Sequence, residues 1–406
     1  MDAVDYLRSR APEFTGADRA VQTPPAAVDL GAMPYSPPLR PRRVEAMPPR
    51  GSVRRCFSGG RRAMHDPQPD ASSCRIETDP LSGRAVFVAP ARAERPREES
   101  LAACPFCAGH EALTPHEVLR SPADRALPWL ARIIPNRYPV VVDRGHHPPE
   151  GSSAGPTAVS TRPAHGIHDV VVESPRHETS ILEIDPLTWR ASWQLVRERL
   201  GQLAERDDLA WGMVFKNSGP AAGASLDHVH SQLVALDFVP PVILAKLATG
   251  AGGGDPFEAM IREAEIERRV VAATAALVAL VPPAPRQPLE TWILPRQPAP
   301  WFHAAGPEVA AGLADLIREV VARIERAAPG AEFNWWLHQA PFFQHSERAG
   351  ALPPGGSAWA GDVPAGWRWH VEIVPRISPL AGFELGIGCH ISIMSAEESA
   401  RRLRAD

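Results

Sequence analysis

Two periods of apolar residues alternate along the chain. Trp189, Trp193, Val196, Leu200 and Leu203 recur at helical spacing and predict a helix over 186–206, with the tryptophans packed in a core. Short apolar or alternating runs predict strands over 84–88, 132–134, 169–173, 211–216 and 231–236. A turn signal, Asp79-Pro80-Leu81-Ser82-Gly83, precedes the first of them. Beyond residue 270 the plan recurs. Small and apolar residues alternate over 270–281, ETWILP at 290–295 reads as a strand, and 308–327 reads as an amphipathic helix. Two further strands are expected over 333–338 and 369–375. Ser395-Ala396-Glu397-Glu398 has capping-box spacing and marks the start of a terminal helix.

The order strand, strand, helix, strand, strand thus occurs twice, and such a repeat sets the fold expectation. It predicts an α+β protein of two related domains, 73–249 and 250–406, not one doubly wound sheet. In corresponding places the first copy carries His228-Val229-His230 and the second His370-Val371-Glu372. Residues 1–72 stand apart, with Pro-Pro pairs, basic pairs and little periodicity; they read as a disordered extension, with Met64 an alternative start. Residues 250–255 read as a flexible linker and 346–366 as a Gly/Pro-rich loop.

Composition narrows the function classes. A chain of 406 residues that is 44% hydrophobic can bury two cores. Its formal net charge of -4 argues against a nucleic-acid coat protein or a polybasic membrane binder. No window approaches a membrane span, and no basic start followed by an apolar run marks a signal peptide, so a cytoplasmic protein is expected. The cysteines, Cys56, Cys74, Cys104, Cys107 and Cys389, are too sparse and odd in number for a disulfide framework. Of the 43 Lys and Arg residues only Lys216 and Lys246 are lysines, which reads as compositional bias.

Two motifs carry chemistry. Cys104-Pro105-Phe106-Cys107 places two thiols on a tight turn, where they can hold one tetrahedral metal ion; no thioredoxin-like setting supports a redox dithiol. On spacing alone His110 and His116 are candidates for the remaining ligands, with more distant histidines competing. In an extended segment residues two apart share a face, so His228, His230 and Gln232 point the same way beyond a small-residue turn. Such a pair can bind metal, act in acid/base work or attack phosphorus, because neutral imidazole is a competent nucleophile. Ser225 and Gln232 can donate hydrogen bonds to phosphate oxygens as charge builds.

Seven segments together resemble the galactose-1-phosphate uridylyltransferases of the histidine-triad superfamily. They are DPLSGRAVFVAPARAERP at 79–96, CPFC at 104–107, IIPNRYPVV at 133–141, VVVESPRH at 170–177, FKNSGPAAGASLDHVHSQ at 215–232, PLETWILP at 288–295 and WHVEIVPR at 369–376. The resemblance implies tandem histidine-triad-like domains, each an antiparallel sheet with flanking helices, and a homodimer. It implies that Cys104, Cys107, His177 and His228 are ligands of a structural zinc ion. His230 matches the nucleophile that takes a nucleoside monophosphate from a nucleoside diphosphate sugar, releases sugar 1-phosphate and passes the nucleotide to a second phosphate. Ser225, Gln232, Arg92 and Arg95 match phosphate-contacting positions, and Asn136 and Asn217 match positions lining the nucleotide pocket. The activity expected first is transfer of UMP from UDP-glucose to a hexose 1-phosphate such as galactose 1-phosphate. A nucleoside diphosphate sugar phosphorylase and a non-catalytic nucleotide-binding protein are the alternatives.

The chain also departs from the family pattern. It has His-Val-His where the familiar enzymes have His-Pro-His, and Arg137 follows Asn136 where they have aspartate. Some members hold a second metal with three histidines and a glutamate. Here His338 and His370 remain, Glu372 replaces a histidine and Lys246 stands at the glutamate position, so that site is expected to be empty or altered. GFELGIGCH at 382–390 is more similar to relatives that phosphorolyse ADP-glucose than to the hexose-recognising segment of uridylyltransferases.

Overall fold

A computed structural model of the chain describes residues 74–95, 103–143, 145, 160–250, 252–342 and 362–405. The extension expected over 1–72 and most of the loop expected over 346–366 lie outside the described residues. In chain order the strands and α-helices are β1 (Arg75–Thr78), β2 (Ala85–Val88), β3 (Leu119–Ser121), β4 (Ala131–Pro135), β5 (Ser160–Pro163), β6 (Gly166–Val172), α1 (Pro186–Ala204), β7 (Trp211–Ser218) and β8 (His230–Leu236). There follow α2 (Pro241–Gly250), α3 (Pro256–Ile266), β9 (Val270–Ala273), β10 (Leu277–Leu280), β11 (Thr291–Pro295), α4 (Pro307–Ala327), β12 (Phe333–His338), β13 (His370–Pro375), α5 (Gly382–Ile387) and α6 (Ala396–Arg404).

The fold is α+β with antiparallel sheets, as the repeat predicts. Ten strands form one sheet in the order β3-β4-β6-β8-β7-β12-β13-β11-β10-β9, and β2-β1-β5 form a smaller one. Read outward from the β7–β12 seam, the order mirrors itself: β8, β6, β4 on one side match β13, β11, β10 on the other. The two copies of the motif therefore share a single sheet, joined where Asn334 pairs with Asn217 and Trp335 with Lys216.

Local chemistry explains the elements. Helix α1 starts where Asp185 accepts a hydrogen bond from the Thr188 N–H at 3.0 Å, with Pro186 at the first helical position. Its apolar face meets that of α4. Trp189 is fully buried and donates from Nε1 to the Ala314 carbonyl at 2.7 Å, while Trp193 lies 5.2 Å from the ring of Trp335. Burying such aromatic surface is the largest favourable term available to this layer, and the indole N–H finds a partner. Ser395 caps α6 by accepting from the Glu398 N–H at 3.2 Å, in line with its capping spacing.

Several elements differ from the expectation. The alternating stretch 270–281 folds as a hairpin of β9 and β10, because the turn between them reverses the chain within one apolar run. At the two ends of the expected linker 250–255, Gly250 ends α2, and Asp255 caps α3 while both its carboxylate oxygens reach Arg368 Nη1 at 2.8 Å. The short strands β1, β3 and β5 and the helices α2, α3 and α5 carried too little periodicity to be foreseen. Among the described residues no helix is long and apolar enough to cross a membrane.

Candidate active site and metal centre

The loop Cys104–Cys107 is held against the start of β8 from two sides. Buried Arg132 on β4 donates to the Pro105 carbonyl at 3.3 Å, and the Ala108 N–H donates to the Pro175 carbonyl at 2.9 Å. This brings Cys104, Cys107, His177 and His228 together, with their donor atoms all within 4.8 Å of one another. Cys104 Sγ lies 3.5 Å from His228 Nδ1, and Cys107 Sγ lies 3.6 Å from His177 Nδ1 and 3.7 Å from His228 Nδ1. With metal bonds of about 2.3 Å to sulfur and about 2.0–2.1 Å to nitrogen, the sulfur–nitrogen edge of a tetrahedron is about 3.6 Å. The spacing therefore fits one tetrahedral ion. His228 Nε2 lies 2.9 Å from the Ser174 carbonyl, which places the proton on Nε2 and turns the Nδ1 lone pair to the sulfurs. Burial pushes the Cys104 thiol up to about 11 and His228 down to about 4. His110 instead approaches the Cys104 carbonyl with Nδ1 at 2.7 Å, and His116 is not in the cluster.

His230 opens β8, two residues after His228, and is buried. Its Nδ1 lies 2.8 Å from the His228 carbonyl, so Nδ1 carries the proton and Nε2 keeps a lone pair. Burial, reinforced by the charge of Lys216, holds the ring at about 3, so the imidazole is neutral at pH 7. Phe106 packs against both histidines, with ring centroids 5.8 Å from His228 and 5.4 Å from His230. The second residue between the cysteines thus separates the metal cluster from the candidate nucleophile.

A cavity of about 480 Å³ opens beside His230 and is lined by Arg95, Asn136, Ser225 and Gln232, with an apolar floor that includes Phe106 and Ile134. The Ser225 hydroxyl is buried there and has no hydrogen-bond partner among the described residues. Such a group calls for a ligand, because an unpaired buried hydroxyl is costly. Gln232 Oε1 accepts from His168 Nε2 at 3.0 Å. The Val140 N–H donates to His168 Nδ1 at 3.1 Å, which fixes that tautomer and leaves the Gln232 amide N–H groups for the cavity. Sequence reasoning missed His168, because only the pairing of β6 with β8 brings it beside Gln232.

The other expected contacts divide. Asn136 accepts from the Tyr138 N–H at 2.8 Å and stands in the cavity wall. Arg92 donates to the Tyr138 carbonyl at 2.7 Å and so braces that wall from behind. Asn217 faces a second cavity, of about 370 Å³, which His230 and Leu226 also border. It accepts from Asn334 Nδ2 at 2.9 Å, across the seam between the two halves. The loop between Asn217 and Ser225 is held by Glu332, which accepts from the Ala221 and Ala222 N–H groups. Gly219 is required there: its φ is +89°, and a Cβ would collide with the Glu332 carboxylate.

Behind His230 lies a buried ionic network that spacing could not reveal. Lys216 donates to Glu173 Oε2 at 2.6 Å and to the His230 carbonyl at 2.8 Å, and Ser231 Oγ donates to Glu173 Oε1. In the second half His338, His370 and Glu372 also converge as possible metal donors, but Lys246 Nζ bonds to all three.

Comparison with known proteins accords with this geometry. Residues 70–240 match the family model described as galactose-1-phosphate uridyl transferase, N-terminal domain. The chain is 31% identical over 348 residues to an ADP-glucose phosphorylase of Arabidopsis thaliana, covering 82% of this chain and 93% of that protein. It is 26% identical over 341 residues to a galactose-1-phosphate uridylyltransferase of Thermotoga maritima, covering 81% and 97%. A crystal structure of an Arabidopsis thaliana ADP-glucose phosphorylase with bound ADP-glucose superposes with a TM-score of 0.64 at 29% identity, covering 82% of this chain and 98% of that one. The shared motifs, the common fold and this coverage make the chain an enzyme of the galactose-1-phosphate uridylyltransferase family, to which it belongs.

Proposed function

We propose that the protein transfers a nucleoside monophosphate from a nucleoside diphosphate sugar to a phosphate acceptor through a nucleotide bound covalently to His230. The observation that carries this reading is the pairing of a buried, neutral His230, whose Nδ1 is committed to the His228 carbonyl, with the unpartnered Ser225 hydroxyl in the same cavity. His230 Nε2 attacks the α-phosphorus, the bond from that phosphorus to the bridging oxygen breaks, and sugar 1-phosphate leaves. The acceptor's oxygen then attacks the same phosphorus and frees His230. Ser225, the Gln232 amide and Arg95 line the space where the nonbridging oxygens gain charge, and fixed donors there lower the barrier. Asn136 and the apolar wall beside it take the base and ribose. Cys104, Cys107, His177 and His228 would hold a zinc ion, a four-residue donor set of the kind that suits a structural site. Bound zinc supplies rigidity to the turn that aims His230.

ADP-glucose with inorganic phosphate is the donor and acceptor pair we favour, giving ADP and glucose 1-phosphate. The 31% identity to an ADP-glucose phosphorylase over 93% of its length supports it, as does the segment at 382–390. Transfer of UMP from UDP-glucose to a hexose 1-phosphate is the second reading, supported by the uridylyltransferase relative. The halves 73–249 and 250–406 act as the two histidine-triad-like domains. A homodimer is supported by exposed apolar residues around α5, among them Phe383, Leu385, Ile387 and Ile393.

Protein incubated with α-labelled ADP-glucose or UDP-glucose, without acceptor, tests the reading. Acid-labile, base-stable label on the protein that is lost in His230→Ala is expected, and stronger with ADP-glucose. A folded protein that takes label from neither donor overturns the covalent mechanism.

A further inference from the structure

Neither lysine of this chain stands free on the surface. Lys216 is 3% exposed, and the Lys246 side chain is largely enclosed where α2 meets β12 and β13. In a chain that otherwise uses arginine for its cations, two enclosed lysines mark places where a compact charge is needed. A guanidinium fork would not fit a point at which acceptors converge from several directions.

At Lys246 three acceptors converge. Its ammonium lies 3.1 Å from His338 Nδ1 and 2.7 Å from His370 Nε2, and it donates to Glu372 Oε1. Three N–H groups thus meet three acceptor atoms, which themselves stand close together: Glu372 Oε1 is 3.3 Å from His338 Nδ1 and 3.4 Å from His370 Nε2. The tautomer of His370 is set from behind, since its Nδ1 lies 3.0 Å from the Arg368 carbonyl. That is the arrangement by which proteins turn an imidazole lone pair toward a metal. Here it turns toward an ammonium. Trp292 closes the top, with Lys246 Nζ 4.7 Å from its ring centroid and His370 stacked 5.1 Å away.

Charge decides which cation such a site takes. Glu372 Oε2 accepts from Arg286, which also pairs with Glu290. With both histidines neutral, Lys246 and Arg286 balance Glu290 and Glu372, so the cluster is neutral as it stands. A divalent ion at the focus of the donors would collide with Nζ and leave two uncompensated positive charges in a buried place. We infer that the Lys246 ammonium serves as the resident cation of this site, in place of a metal, and ties α2 to β12 and β13. Replacing it by a carboxylate changes the local charge by two, adds a fourth donor and creates a divalent metal site.

The test is metal content. Wild-type protein and Lys246→Glu are equilibrated with excess Zn²⁺, desalted and measured by plasma mass spectrometry, with thermal melting as a check on folding. Lys246→Glu should hold one more zinc per chain than wild type, and its Tm should rise with added Zn²⁺. Cobalt substitution separates this site from the cysteine-containing one: the added ion should bring no thiolate charge-transfer band. That difference of one ion is expected whether or not the Cys104 cluster binds metal. A folded Lys246→Glu with no extra ion overturns the inference. So does wild-type protein that binds Co²⁺ at a sulfur-free site, a measurement that needs no variant to fold.

Discussion

Replacing Lys216 with methionine tests the ionic network behind His230. The substitution keeps the length of the side chain and removes its charge and donors. It leaves Glu173, 2% exposed, with the Ser231 hydroxyl as its remaining partner in this network, and it leaves the His230 carbonyl without its ammonium donor. Removing one partner of a buried ion pair costs about 3–5 kcal/mol, most of it the uncompensated charge. Adding Glu173→Gln removes that charge, while the amide oxygen at this position still accepts from Ser231. What then remains is chiefly the unpaired His230 carbonyl, at about 1–3 kcal/mol. The double variant is therefore predicted to be about 2 kcal/mol more stable than Lys216→Met alone. Urea unfolding followed by tryptophan fluorescence reads this as a shift in midpoint at unchanged slope. The rate of covalent labelling from ADP-glucose should drop about a hundredfold in Lys216→Met, because a small displacement of the nucleophile costs that much. A double variant no more stable than the single one would refute the idea that charge burial dominates here.

Three further outcomes are predicted. Ser225→Ala removes a buried hydroxyl with no partner among the described residues, so Tm should stay level or rise slightly while kcat falls about a hundredfold; equal activity would remove Ser225 from the phosphate site. Gly219→Ala forces a left-handed residue with a Cβ against Glu332, and should lower stability by about 1–3 kcal/mol in thermal melts, with a smaller loss if Glu332→Ala is added. Burial holds His168 at about 3, below its ordinary 6.5, so the unfolded chain binds that proton more readily than the folded one. Stability linked to His168 is complete above 6.5 and is lost as pH falls toward 3, the loss amounting to about 2 kcal/mol at about pH 5. Tm measured against pH should fall less steeply over that range in His168→Gln.

Periodicity and repetition sufficed for much of this protein. The helical spacing of Trp189, Trp193, Val196, Leu200 and Leu203 marked α1, and the doubled order of elements marked an antiparallel α+β fold, because local burial patterns survive in sequence. The positions of Cys104, Cys107, His228, His230 and Gln232 were visible for the same reason: their spacing along short segments already constrains which side chains face together. What only the tertiary structure decided depends on cross-strand pairing and on the third dimension of charge. The two copies share one sheet through β7 and β12, since hydrogen bonds between strands leave no trace in either strand alone. His168 reaches Gln232 only through the register of β6 with β8. Arg92 reaches the Tyr138 carbonyl, and Asn217 borders a cavity that meets the larger one at His230 and Leu226, contacts set by packing between distant segments. The two lysines read as compositional noise until folding enclosed each among acceptors from distant parts of the chain, where a compact ammonium can satisfy several of them at once.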